Sequence, residues 1–183
     1  MAVRAIVVGI GLEGSGALDK ALRIARQSLS LAFGFETHEA RVRLEERFIN
    51  ALRMQVHAPS LNMFLREIFQ DYDIVVGVCD HDGYVEGLNF VFGLALPGYG
   101  VATVFIARLL CSNTEKFVER VTKEVLHEVG HLLGLEHCSN RRCVMSFSNS
   151  IIDVDAKSYK FCSRCAEKVR RLGIEVNPLF VLT

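Results

Sequence analysis

The chain has 183 residues, half of them hydrophobic, and its 21 Lys plus Arg are matched by 21 Asp plus Glu. That hydrophobic content excludes a disordered chain, and the charge balance argues against a dedicated binder of nucleic acid or of an anionic membrane surface. No apolar run approaches the ~20 residues that span a bilayer, and the first nine residues lack the small-residue cleavage site of a signal peptide, so a cytoplasmic protein without nucleic-acid or membrane partners is expected.

Residues 5–10 form a short β-branched run, which predicts a buried parallel strand. Gly9-Ile10-Gly11-Leu12-Glu13-Gly14 follows it in the pattern of a dinucleotide-binding turn. Glu36 and Glu45 are the nearest candidates for that pattern's acidic partner, but neither ends the next predicted strand at the required distance. A glycine-rich strand-to-helix turn is the simpler reading. Leu18, Leu22, Ala25 and Leu29 recur at helical spacing, with Gly34 as the stop. Residues 38–44 alternate, with Ala40, Val42 and Leu44 on the apolar side, and predict a half-buried strand. Residues 45–58 fit no single pattern.

Ser60 is placed to cap a helix carrying Leu61, Phe64, Leu65 and Ile68. Residues 74–79 predict another buried strand, 80–83 a turn, 85–96 a long strand broken by Gly87 and Gly93, 97–100 a loop and 101–107 a further strand. Ser112-Asn113-Thr114-Glu115 has the form of a capping box. It precedes the strongest helical period in the chain: Val118, Val121, Val125, Val129 and Leu132, ended by Gly134. From there the chain reads as irregular until a last helix at 163–172. Strands alternating with helices predict an α/β fold with a mixed sheet. The last 45 or so residues look too irregular to fold without a staple.

His127-Glu128-Val129-Gly130-His131 lies near the end of the long helix. Residues four apart share a helix face, so both imidazoles reach one cation. Gly134 lets the chain turn, and His137 follows as a third ligand. His-Glu-x-x-His alone recurs by chance in roughly one chain in fifty of this length; with Gly134 and His137 the figure is about one in ten to twenty thousand. Three neutral imidazoles leave one position of a tetrahedral zinc open for water, and Glu128 stands beside it as general base and acid. Cys138-x4-Cys143 and Cys162-x2-Cys165 have the spacing of a structural zinc site. Two disulfides, free thiols or a redox Cys162–Cys165 pair are the alternatives. A zinc on Cys138 would fix the backbone that carries His137 and staple the C-terminal region. Cys79 and Cys111 read as ordinary buried cysteines. On its own, Met145 reads as a core methionine.

These residues taken together resemble the metzincin clan of zinc peptidases and, within it, the archaemetzincin family. The clan motif matches at His127, Glu128, His131, Gly134 and His137, and the methionine turn beneath the metal at Met145. The family signature adds Cys138, Cys143, Cys162 and Cys165, with a gap before the last pair about one residue longer than the gap here. The resemblance is sharp over 127–165 and architectural before it.

The resemblance implies one compact domain over 1–183: a subdomain at 1–134 that ends with the active-site helix, and a subdomain at 135–183 with the methionine turn and the four-cysteine site. It implies a twisted mixed sheet of about five strands, two Zn2+ per chain (one catalytic, one structural) and hydrolysis of a peptide or polypeptide substrate. A monomer is favoured. Two departures stand out. The first predicted strand opens within a few residues of Met1, so no N-terminal inhibitory segment is expected. Phe147 stands where some metzincins carry a tyrosine that assists at zinc; Tyr99, Tyr159 and His81 are the candidate substitutes. Residues 88–95 are the candidate edge strand for binding peptide by strand addition. A catalytically silent zinc scaffold or peptide binder with the same two sites is the alternative to an enzyme.

Overall fold

A computed structural model describes residues 3–11 and 15–183. Three apolar runs form the centre of a five-stranded sheet: β1 (Arg4–Ile10), β5 (Ile74–Cys79) and β8 (Val101–Phe105). β2 (Glu36–Val42) and β7 (Gly93–Leu96) are its edges, in the order β2-β1-β5-β8-β7. All neighbours are parallel except β7 and β8. The mixed α/β sheet of about five strands is therefore present. Strands buried on both faces need no alternation, and these divide their side chains cleanly. Ala5, Val7, Val76 and Val104 point to one face, and Ile6, Val8, Val75 and Phe105 to the other.

The first face is covered by α1 (Gly16–Phe33) and α3 (Thr114–Leu132), through Leu22, Leu29, Val121 and Val125. Burying each such side chain stabilises by about 1.5–3 kcal/mol. Leu18, Leu22, Ala25 and Leu29 all lie on the buried stripe of α1, which ends at Gly34 in the left-handed conformation, φ +66°. The other face carries α2 (Ala58–Ile68), with Leu61 and Leu65 buried.

Several local expectations shift. α2 starts at Ala58 rather than after Ser60, because Pro59 fits the first turn, where no N–H is needed; Ser60 Oγ instead pairs with His57 Nδ1 at 2.6 Å. The ambiguous stretch forms a hairpin of β3 (Ile49–Asn50) and β4 (Gln55–His57), which joins β6 (Gly83–Tyr84) in a second, three-stranded sheet. The cap of α3 is Asn113, which accepts from Lys116 N at 2.9 Å, and not Ser112.

The long strand at 85–96 shortens to β7, preceded by a loop. Arg53 donates to the carbonyls of Leu88 and Asn89, and Gln55 to that of Asn89, so side chains replace the ladder there. Cys79 is buried but Cys111 is exposed, at the surface before α3. Beyond α3 the chain contains α4 (Ile151–Ala156), capped by Ser150, and α5 (Ser163–Arg170); the sequence pattern missed α4 because six residues carry too little period. Among the described residues no helix is long and apolar enough to cross a membrane.

At the end of β1, Gly11 packs against the Asp80 carboxylate so closely that no Cβ fits. The remaining residues of the glycine pattern, Leu12, Glu13 and Gly14, lie outside the described residues.

α4 is tied to α3 by Asp155, which accepts from Arg120 Nε at 2.7 Å and from its second nitrogen at 2.7 Å, and pairs with Lys116 at 2.9 Å. The Arg120 hydrogen bond, opposed by partial burial and joined by Lys116, lowers the Asp155 pKa to about 2. A carboxylate depressed in the folded state stabilises above its unfolded pKa of about 3.9 and loses that contribution as pH falls through the folded value. The difference in unfolding free energy between the parent and Asp155→Asn is expected to be on the order of 2 kcal/mol above pH ~5 and to shrink between about pH 4 and 2. Denaturant titrations across that range measure it, and a pH-independent difference would remove the ion pair from the account.

Candidate metal and active site

The last two turns of α3 carry His127, Glu128 and His131 on the side facing β7 and the loop at 143–149. The helix ends in a turn built on Gly134, φ +78°, where Leu135 N returns to Gly130 O at 2.9 Å. Two residues later His137 comes back over the helix end. Its ring lies 5.4 Å from that of His127 and 4.8 Å from that of His131, centroid to centroid.

Two backbone carbonyls aim the rings. His127 Nδ1 lies 2.8 Å from Val144 O, and His131 Nδ1 lies 2.7 Å from Leu135 O. A carbonyl only accepts, so each Nδ1 carries the proton and each Nε2 presents a lone pair. The two Nε2 atoms are 3.1 Å apart, close to the ~3.3 Å edge of a tetrahedron with Zn–N of about 2.0–2.1 Å. One ligand atom from each of His127, His131 and His137 falls within 4.8 Å of the others. Burial lowers the pKa of all three, with Lys157 adding to the effect. The imidazoles are thereby held neutral, which is the metal-binding form.

Glu128 is 5% exposed and packs against Gly93 of β7, where an added Cβ would stand 2.5 Å from its Oε1. Burial, then the nearby Glu124 charge, push the Glu128 carboxyl up to about 8 against the opposing pull of Lys157. Met145 is fully buried against Gly130, with no room for a Cβ between them. The loop carrying Met145 is pinned by Cys138 N to Met145 O at 2.8 Å and Val144 N to Lys160 O at 2.8 Å.

A cleft of about 590 Å3 opens over the histidines. β7 and the loop before it form one wall, including Phe90 and Phe92; Phe147, Ser148 and Asn149 form the other. Phe147 packs edge-on against His137 at 5.0 Å. None of the three candidate substitutes for a tyrosine lines this cleft. Tyr99 ends the turn after β7, Tyr159 lines a groove between α1 and α3, and His81 pairs with Asp80 at 2.6 Å.

The four cysteines also come together. The Sγ atoms of Cys138, Cys143, Cys162 and Cys165 lie within 4.8 Å of one another, all are buried and none is in a disulfide. Cys138 and Cys162 are 3.8 Å apart, the edge of a tetrahedron with Zn–S of about 2.3 Å. Cys143 Sγ accepts from Cys162 N at 3.2 Å, and Cys138 Sγ from the Arg164 guanidinium at 3.6 Å. Burial raises Cys143 to about 11. At Cys138 burial is outweighed by the Asn140 amide and by Arg164, which bring the thiol down to about 7. Four soft donors with no open side suit a closed site, and three imidazoles facing a cleft suit an open one.

Sequence reasoning missed Glu124 and Lys157, which pair at the base of this site, and read Gly93, within the candidate edge strand, only as a break in that strand. Glu124 had a signal, four residues before Glu128 on the same helix face; Lys157 lay in a segment without periodicity.

The profile of peptidase family M54 matches residues 32–171. The archaemetzincin of Aeropyrum pernix is 51% identical over 121 residues, covering 64% of this chain and 66% of that protein. That of Sulfolobus acidocaldarius is 40% identical over 149 residues, covering 77% and 83%. The crystal structure of archaemetzincin from Methanopyrus kandleri superposes with a TM-score of 0.86 at 38% identity, over 93% of this chain and 94% of that one. The malonate complex of the Archaeoglobus fulgidus archaemetzincin gives 0.80 at 34%, over 91% and 99%. Three convergent histidines, four convergent cysteines and these matches lead to one assignment: the chain belongs to peptidase family M54, the archaemetzincin zinc metallopeptidases.

Proposed function

We propose that His127, His131 and His137 hold a catalytic zinc, that Glu128 is the general base and acid of peptide-bond hydrolysis, and that Cys138, Cys143, Cys162 and Cys165 hold a second, structural zinc. The observation that carries the reading is the convergence of three neutral imidazoles beside a buried carboxyl, in a cleft walled by an edge strand. Zinc bound there would supply an open coordination position, a water of pKa about 7 and Lewis-acid polarisation of a carbonyl. Glu128 does the proton work: it takes a proton from the attacking water and delivers it to the leaving amine. Its buried setting favours holding that proton between the two transfers. Met145 packs under the histidines without ligating. The two subdomains, 1–134 and 135–183, act as one unit, a reading supported by an apolar cluster that runs from Ala5 to Val176. A four-cysteine metal site goes with a reducing, cytoplasmic setting, where thiols are kept available as ligands.

Substrate alignment falls to β7. Phe105 N donates to Phe92 O, so by the antiparallel alternation Leu94 and Leu96 face β8, while Gly93 and Ala95 turn N–H and C=O toward the open edge. A peptide added there runs across Glu128, with main-chain hydrogen bonds setting its register. The absence of a Cβ at Gly93 is what lets the carboxyl approach the strand.

Elemental analysis of protein purified without added metal or chelator is expected to give about two zinc per chain, and His127→Ala about one; an unchanged count in His127→Ala would discard the three-histidine site. Glu128→Ala is expected to lower peptide hydrolysis by at least about 100-fold while the zinc count stays at the parent value. Hydrolysis near the parent level in that variant would strip Glu128 of its role. Ala95→Pro, which removes an outward N–H, is expected to raise KM for peptides several-fold with zinc retained. An unchanged KM would move substrate binding off this edge.

A further inference from the structure

A buried ion pair at the base of the cleft takes no part in the chemistry above. Lys157, just after α4, and Glu124, on α3, have side chains only 1% and 3% exposed, with Nζ 2.9 Å from Oε1. The contact is an ion pair rather than an aligned hydrogen bond. The same Nζ stands 3.4 Å from Ser146 O and 3.4 Å from His127 Nδ1. Glu124 precedes His127 by three residues and Glu128 by four, so the three share a helix face, and Glu124 lines the same cleft.

Stability does not account for the pair. Desolvating two charges costs about as much as their attraction returns, and apolar replacements of similar volume are often neutral or stabilising. Its contacts suggest another role. Val144 O aims His127, and the carbonyl two residues further along the same loop, Ser146 O, is held by Lys157. The ammonium therefore secures the loop that orients the first histidine. It also engages Glu124, whose carboxylate is itself a competent zinc donor one helical turn from His127.

We propose that Lys157 and Glu124 form a positioning pair, which holds the loop at 144–146, and through it His127, in ligand geometry and keeps the Glu124 carboxylate off the metal. The inference rests on the three-histidine zinc reading.

The test is the double variant Glu124→Gln/Lys157→Met, which leaves no lone buried charge, with zinc affinity measured at each site by chelator competition. His127→Ala identifies which binding phase belongs to the histidines. The double variant is expected to keep its melting temperature within about 4 °C and its cysteine-site zinc. Its histidine-site affinity is expected to fall by about 10–100-fold, and kcat to fall with KM near the parent value. Lys157→Arg, which keeps the cation, is expected to recover part of both losses. Histidine-site affinity and kcat within about twofold of the parent would reduce the pair to packing and overturn the proposal. So would loss of the fold together with the metal, because the pair would then hold the structure and not the site. A parent chain that binds no zinc at its histidines would instead strike the underlying reading, before any variant is compared.

Discussion

The carbonyls of Val144 and Leu135 each accept from the Nδ1 of a histidine on α3, and this fixes ring, tautomer and direction of lone pair together. The constraint reaches well beyond two hydrogen bonds. Leu135 belongs to the turn that closes the helix at Gly134, so the helix must stop there for His131 to be aimed. Val144 belongs to the loop of Met145, so that loop must lie against the helix at one height for His127 to be aimed. The rest of the C-terminal region holds the loop in that place. Cys138 N reaches Met145 O, Val144 N reaches Lys160 O, and Cys143 Sγ accepts from Cys162 N.

The cysteine cluster belongs to the same constraint. Cys138 follows His137 directly and also closes on the methionine loop, so a metal held by the four sulfurs would restrain the loop and the third histidine together. A short irregular segment has little apolar surface with which to secure such precision, and a metal can supply it. Arg164, between the last two cysteines, sets a fixed positive charge against Cys138. That charge would offset part of the negative charge of a four-thiolate set.

The sheet core was legible because buried parallel strands are written as continuous apolar runs, and those at 5–10 and 74–79 needed nothing else. The histidine and cysteine sets were legible because their spacing is nearly the whole of their geometry: four residues make one helical turn, and a glycine permits the return. The misread segments are those where side chains at long sequence distance do the work of a ladder or a cap. Residues 85–92 look like a strand, but Arg53 and Gln55 take the carbonyls of Leu88 and Asn89. Ser112 has the form of a cap, yet Asn113 holds Lys116 N. Lys157 was invisible because its partner is 33 residues away on another element, and no local pattern records a contact of that kind.

Two glycines explain how α3 is seated. On its lower side Gly130 lets Met145 pack directly on the helix backbone, and above it Gly93 lets β7 descend onto Glu128. An added Cβ at either place would push the helix from the loop or the strand from the helix. Those are the two distances on which the proposed chemistry depends: histidine to aiming carbonyl, and carboxyl to substrate edge. The helix is thus clamped between absent side chains, while its own apolar stripe of Val121, Val125 and Val129 anchors it in the core. Close-packed interiors transmit small displacements with little loss, so a methyl group at either glycine would reach the site as a shift of donor atoms. The precision of the centre therefore rests as much on where this chain has no Cβ as on the residues that present donors.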